Sequence, residues 1–313
     1  MSFQSLAVVF VALSALSSAV HAKVTRTVEK AFTVQPAGQV RAETQGGNIT
    51  VKTDDGNTVR IVATQVIEAN SDAEADRVLE KLSLTFDQSG NQVTVRATYE
   101  KRGLTSTWGN WPPVQVSYAI TLPRKFNADL NTSGGDIKVA SLQGNVNART
   151  SGGNLVFERI EGDLDGKTSG GNVTLLEGTA KARLSTSGGS VHIDRAAGPT
   201  SVSTSGGNIT VNSATQMTRA TTSGGDIRIK LSEAPQQPST YNTSGGDITV
   251  QLPVAAAWTL DAETSGGEVR VSGVAINVTK SNSSKSRLAG TVNGGGPTLS
   301  LNTSGGDIKV RAE

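Results

Sequence analysis

The chain has 313 residues with no cysteine, two histidines, 35 glycines and 4% aromatic residues, and 29 basic side chains face 27 acidic ones. That excludes disulfides, thiolate chemistry and Cys/His metal sites, and a net charge of +2 gives no steering toward nucleic acid or a polyacidic partner. So few aromatics cannot fill a thick core, but small residues can fill a thin stack of coils.

Residues 6–20 form an apolar run ending in Val20-His21-Ala22, whose small residues suit a signal peptidase cutting before Lys23. The first five residues carry no Lys or Arg, a departure from the usual signal pattern. The run is too short to span a bilayer, and the chain after it contains no second run of ~20 apolar residues. The expectation is a signal peptide over 1–22 and a mature chain without a transmembrane segment. That mature chain is exported, to the periplasm or to the cell surface and beyond.

Residues 23–130 alternate apolar and polar over 24–34, 40–52, 58–67, 82–87, 92–98 and 114–122, which predicts strands. One helix interrupts them. Ser71 and Glu74 make a capping box, and Ala75, Val78, Leu79 and Leu82 form its apolar stripe. This segment is expected to be a β-rich N-terminal cap for the repeat region over 131–313. Within it, Trp108 and Trp111 stand three residues apart in a Gly/Pro loop, with Tyr99 nearby. Exposed indoles stack on sugars or dock apolar partners, so these three residues are the candidates for partner or glycan contact. The plainer reading folds both indoles over the end of the stack as a lid.

From Thr132 onward, Thr-Ser-Gly-Gly occurs nine times, starting at 132, 150, 168, 186, 204, 222, 243, 264 and 303. The spacing is 18 or 21 residues, apart from a final gap of 39, which predicts one rung near Asn282 that has lost its motif. A fixed period near 20 residues marks a stacked repeat. Apolar residues after each motif alternate (Ile137/Val139, Leu155/Phe157, Val173/Leu175 and onward), a period of 2 that rules out helical solenoids. Each rung therefore supplies two or three short strands, with paired Gly at one corner where a Cβ would clash. The Thr has inward parity, which predicts a buried hydroxyl ladder. The terminal rung, with outward Lys309 and Arg311, is expected to protect the open edge.

An early Gly-Gly-Asn-Ile-Thr-Val strand, the segment Val116-Ser-Tyr-Ala-Ile-Thr-Leu-Pro123 and the tandem Thr-Ser-Gly-Gly-Asp-Ile copies resemble the bacterial β-strand-repeat family labelled "putative adhesin", a group of unknown function. The resemblance runs over roughly residues 30–313. It implies an all-β, right-handed β-solenoid outside the cytoplasm, and it supplies no catalytic residues.

The residue after Gly-Gly is Asp, Asn, Ser or Glu throughout. Stacked one rung apart, Asp226, Asp247 and Glu268 are the candidates for a cation site, beside the plainer reading that these side chains hold corner geometry. The calcium-binding nonapeptide roll is excluded, because the motif lacks that roll's third glycine and second copy per coil. His192 points outward and reads as a solvated strand residue. No cofactor is expected. The reading is a non-enzymatic envelope or surface interaction module whose partner is an envelope glycan, an envelope protein or its own copy. An extracellular polysaccharide-active enzyme and a self-assembling structural protein are the alternatives.

Overall fold

The computed structural model describes residues 23–100, 113–283 and 285–313. It is a β-solenoid flattened into two sheets, one of 13 strands and one of 14, with the core as a single thin layer between them. Each rung contributes one strand to each sheet. The strand Val146–Arg149 lies in the 14-stranded sheet, and Leu155–Ile160, after the corner, lies in the 13-stranded one. Neighbouring rungs pair in parallel and in register, as in Leu155 against Val173 and Val191 against Ile209. Their inward residues reach 0–1% exposure, so each rung buries its apolar face only against its neighbours.

Without the antiparallel end strands, the two sheets hold eleven parallel strands each, which makes eleven rungs among the described residues. At ~4.8 Å per step the stack is on the order of 50 Å long. The expected strands of the N-terminal segment are all present, with 40–52 divided by a corner into Gly38–Thr44 and Ile49–Asp54. They extend the same two sheets. Gln92–Tyr99 and Val114–Pro123 form the outermost rung, and Lys23–Thr33, Thr58–Glu68 and Leu82–Ser89 close that end antiparallel. The helix Asp72–Leu79 starts where expected, with the Glu74 N–H donating to Ser71 Oγ at 3.2 Å. The returning Glu74 carboxylate accepts from the N–H of Asn70, one residue earlier than the capping box anticipates.

The far end departs from the sequence expectation twice. No rung near Asn282 has lost its motif. The strand Thr298–Thr303 lies between Ser239–Asn242 and Trp258–Thr264, and Ile308–Ala312 lies between Ile248–Leu252 and Val269–Ser272. The last rung in sequence is therefore next to last in space, and the long interval is a hairpin. Its strands Asn277–Ser281 and Arg287–Val292 run antiparallel along the edge of the 14-stranded sheet. The terminal rung does not guard an edge, and Lys309 instead bridges Asp247 at 3.0 Å and Asp307 at 3.4 Å. Burial explains the order. Leu299, Leu301, Ile308 and Val310 are at 0–1% exposure and need cover on both sides, whereas the outer rung ends in half-buried Val271 and exposed Ser272.

Candidate interaction site

The repeated motif is occupied with holding the corner. In ten successive rungs the motif Thr hydroxyl donates to a backbone carbonyl of the preceding rung at 2.7–2.8 Å, nearly always that of its second Gly. The same oxygen accepts from the second Gly of its own rung, as in Gly153 N–H to Thr150 Oγ1 at 3.3 Å. The following residue makes a parallel ladder. Its side-chain oxygen accepts the backbone N–H of the matching residue one rung on. The ladder runs through Ser117, Asn48, Asp136, Asn154, Asn172, Ser190, Asn208, Asp226, Asp247, Asp307 and Glu268, with bonds of 2.7–3.1 Å. Every acceptor in it has a short side chain. Glu stands only at the last position, where no described rung donates to it.

This ladder changes the geometry of the cation candidates. Asp226 and Asp247 are neighbours, but Asp307 separates Asp247 from Glu268. Each carboxylate also has a cation: Arg228 on Asp226 at 2.8 Å, Lys309 on Asp247, and Arg270 on Glu268 at 2.7 Å and near Asp307 at 3.7 Å. The Glu268 N–H, with Lys309 and Arg270, holds Asp307 below the usual carboxylate range against the opposing pull of desolvation. Among the described residues, no three His, Asp or Glu side chains converge as a metal cage. His192 faces outward, with Nε2 2.9 Å from Asp194 Oδ1.

Trp108 and Trp111 lie outside the described residues, as do residues 1–22, expected from the sequence to be a signal peptide. The roots of the Trp segment are described. Tyr99 N–H donates to Gln45 Oε1 at 2.8 Å, Glu100 N–H to the Lys81 carbonyl, and Glu68 N–H to the Pro113 carbonyl. The segment thus leaves the outermost rung at the corner where other rungs carry Thr-Ser-Gly-Gly. Tyr99, expected as a contact residue, is 6% exposed, and burial raises its phenol pKa. Inward parity on Gln92–Tyr99 places its ring in the core, a position its alternation with Thr98 already indicated.

The outward face of the 14-stranded sheet, which carries no motif residue, holds a shallow groove of about 510 Å³ crossing several rungs. Asp129, Asn147, Asp165 and Arg183 stand in one register column along it. Asn147 Nδ2 donates to Asp129 Oδ1 at 2.9 Å, and Arg149 approaches Asp165 at 3.7 Å. Asn147 Oδ1 and Asp165 Oδ1 are shielded and accept no hydrogen bond.

The Toastrack DUF4097 family model matches residues 47–311. The chain belongs to that family. This agrees with the β-strand-repeat resemblance and with the all-β solenoid. The chain is also similar to solved structures at low identity. A "putative lipid binding protein" from Parabacteroides distasonis ATCC 8503 is 12% identical, with a TM-score of 0.41, over 91% of this chain and 96% of the other. A "putative adhesin" from Bacteroides fragilis NCTC 9343 is 13% identical, with a TM-score of 0.32, over 91% and 97%. A "putative cell adhesion protein" from Clostridium sporogenes ATCC 15579 is 11% identical, with a TM-score of 0.21, over 92% and 100%. No curated protein matches the sequence. Among the described residues, no helix is long and apolar enough to cross a membrane.

Proposed function

We propose that this family member is an exported, non-enzymatic interaction module of the cell envelope, recognising a partner along its solenoid faces and through the Trp108/Trp111 segment. One observation carries the reading. The hydroxyls and carboxylates of the repeat are spent on rung-to-rung bonds, so the motif builds a rigid rod and leaves recognition to the outward strand positions. Those positions vary from rung to rung: Lys138, Val156, Thr174, His192, Thr210 and Arg228 succeed one another on one face. A rigid surface on the order of 50 Å long loses little entropy on binding, which favours extended partners. Export is inferred from the apolar run at 6–20. The described residues that flank the indole segment, Glu100 and Pro113, stand at the end of the corner row.

Co-sedimentation of the purified chain with isolated envelope and cell-wall fractions tests the reading. The expected result is sedimentation with one of them, weakened in the Trp108→Ala/Trp111→Ala double variant. A chain that stays in the supernatant with every fraction overturns it.

A further inference from the structure

We propose that the groove on the 14-stranded sheet is a binding site for an acidic polysaccharide, a chain bearing both carboxylates and free hydroxyls. This rests on the interaction-module reading above and names the partner's chemistry. The groove is lined by Arg149, Lys181 and Arg183 and by Asp129, Asp163 and Asp165, of which Asp129 is already held by Asn147 and Arg41, and Lys167 beside Arg149 brings the cations to four. All four cations are exposed, and among the described residues Lys167, Lys181 and Arg183 have no ion-pair partner. Arg149 stands directly against Lys167 on the next parallel strand. Like charges in that position repel across a strand spacing, so the free protein holds an unfavourable pair that one bound anion would relieve.

The acceptors beside them are short of donors. Asn147 Nδ2 donates to Asp129 Oδ1, while Asn147 Oδ1 and Asp165 Oδ1, both shielded, accept no hydrogen bond. A ligand that satisfies both halves must offer hydroxyl donors and negative charge side by side, and hydroxylated polyanions do so. Farther along the sheet the column through Arg183 continues as Ser201, Arg219, Thr240 and Ser300, and the column through Lys167 continues as Ser185, Ser203, Thr221, Asn242 and Asn302. Apart from Arg219, these are neutral hydroxyl and amide groups, and they continue the track for an extended chain of sugar hydroxyls.

The test is isothermal titration of the purified full chain with polygalacturonate, and with dextran as the neutral glycan. Wild type is expected to bind polygalacturonate and not dextran, with affinity falling as salt rises. A Lys167→Gln/Arg183→Gln variant is expected to bind about tenfold more weakly, since two exposed charges are removed. Lys167→Gln alone is expected to raise the melting temperature of the free protein while weakening binding, a combination that a purely structural lysine would not give. Equal binding to dextran, unchanged affinity in the double variant, or no binding at all overturns the proposal. So does equal affinity for phosphatidylglycerol vesicles or duplex DNA. Envelope co-sedimentation that persists in the double variant would overturn this site and leave the interaction-module reading standing.

Discussion

The two glycines of the motif have different jobs, and the difference is measurable. A Cβ on Gly153 would sit 2.0 Å from the carbonyl oxygen of Gly135 in the rung before, a distance that neither backbone can relieve without opening the stack. A Cβ on Gly152 would sit 3.4 Å from the Gly134 oxygen, close to ordinary contact. Gly153→Ala is therefore expected to cost about 3 kcal/mol in a urea melt, and Gly152→Ala to stay within about 0.5 kcal/mol of wild type. Similar losses for both would remove the distinction. The acid side of the stability profile is set partly at Asp307. Its carboxyl is held below its unfolded value, chiefly by the Glu268 N–H and then by Lys309 and Arg270. A depressed carboxylate contributes stability above its unfolded pKa and loses it as pH falls through the folded one. Asp307→Asn keeps the ladder acceptor but not the charge. It is expected to melt slightly below wild type at neutral pH, with the gap closing as pH drops below about 4. A gap that is constant with pH would count against this assignment.

At the scale of the strand, the sequence was readable wherever periodicity alone decides the outcome. Alternating residues such as Ile137/Val139 and Ile209/Val211 are buried at 0–2%, and the motif Thr residues are buried as their parity requires. The corner role of Asp and Asn was legible too, because short side chains that cap local N–H groups recur there. The spatial order of rungs was not. Nothing local distinguishes Ile308–Ala312 from any other rung strand, and its insertion beside Ile248–Leu252 depends on which rungs most need two-sided burial. The cation candidates were misplaced for the same reason, since sequence order set Glu268 next to Asp247. The groove was missed because its residues come from five different strands and carry no motif of their own. The 18-residue period already sets Arg149 against Lys167 and Asn147 against Asp165, as the pairing register shows, but the period alone marks no outward column as a site.

The molecule as a whole behaves as a one-dimensional stack, so its tolerance to change should depend on whether rung order is respected. Excising residues 168–185 removes one 18-residue period and joins Lys167 to Thr186, which restores the motif at the junction. Leu155 and Phe157 would then pair with Val191 and Ile193, apolar against apolar, in the register that Val173 and Leu175 now provide. The shortened chain is expected to fold, to unfold cooperatively within a few degrees of wild type, and to lose about 4.8 Å of length by small-angle scattering. Removing 298–313 deletes a similar number of residues with the opposite outcome. It strips both neighbours of the intercalated rung, exposing Tyr241 and Leu252 on one side and Trp258 and Leu260 on the other, all now at 0–2%. The outer rung and its hairpin would then have to re-dock on Ser239–Asn242 across a different connection, or remain detached. A large drop in melting temperature, with Trp fluorescence shifted to the red in a Trp108→Phe/Trp111→Phe background, is the expected signature. If the truncated chain kept the wild-type melt and a buried Trp258, the two rungs would have closed directly on each other, and the intercalated strand would be dispensable to the stack.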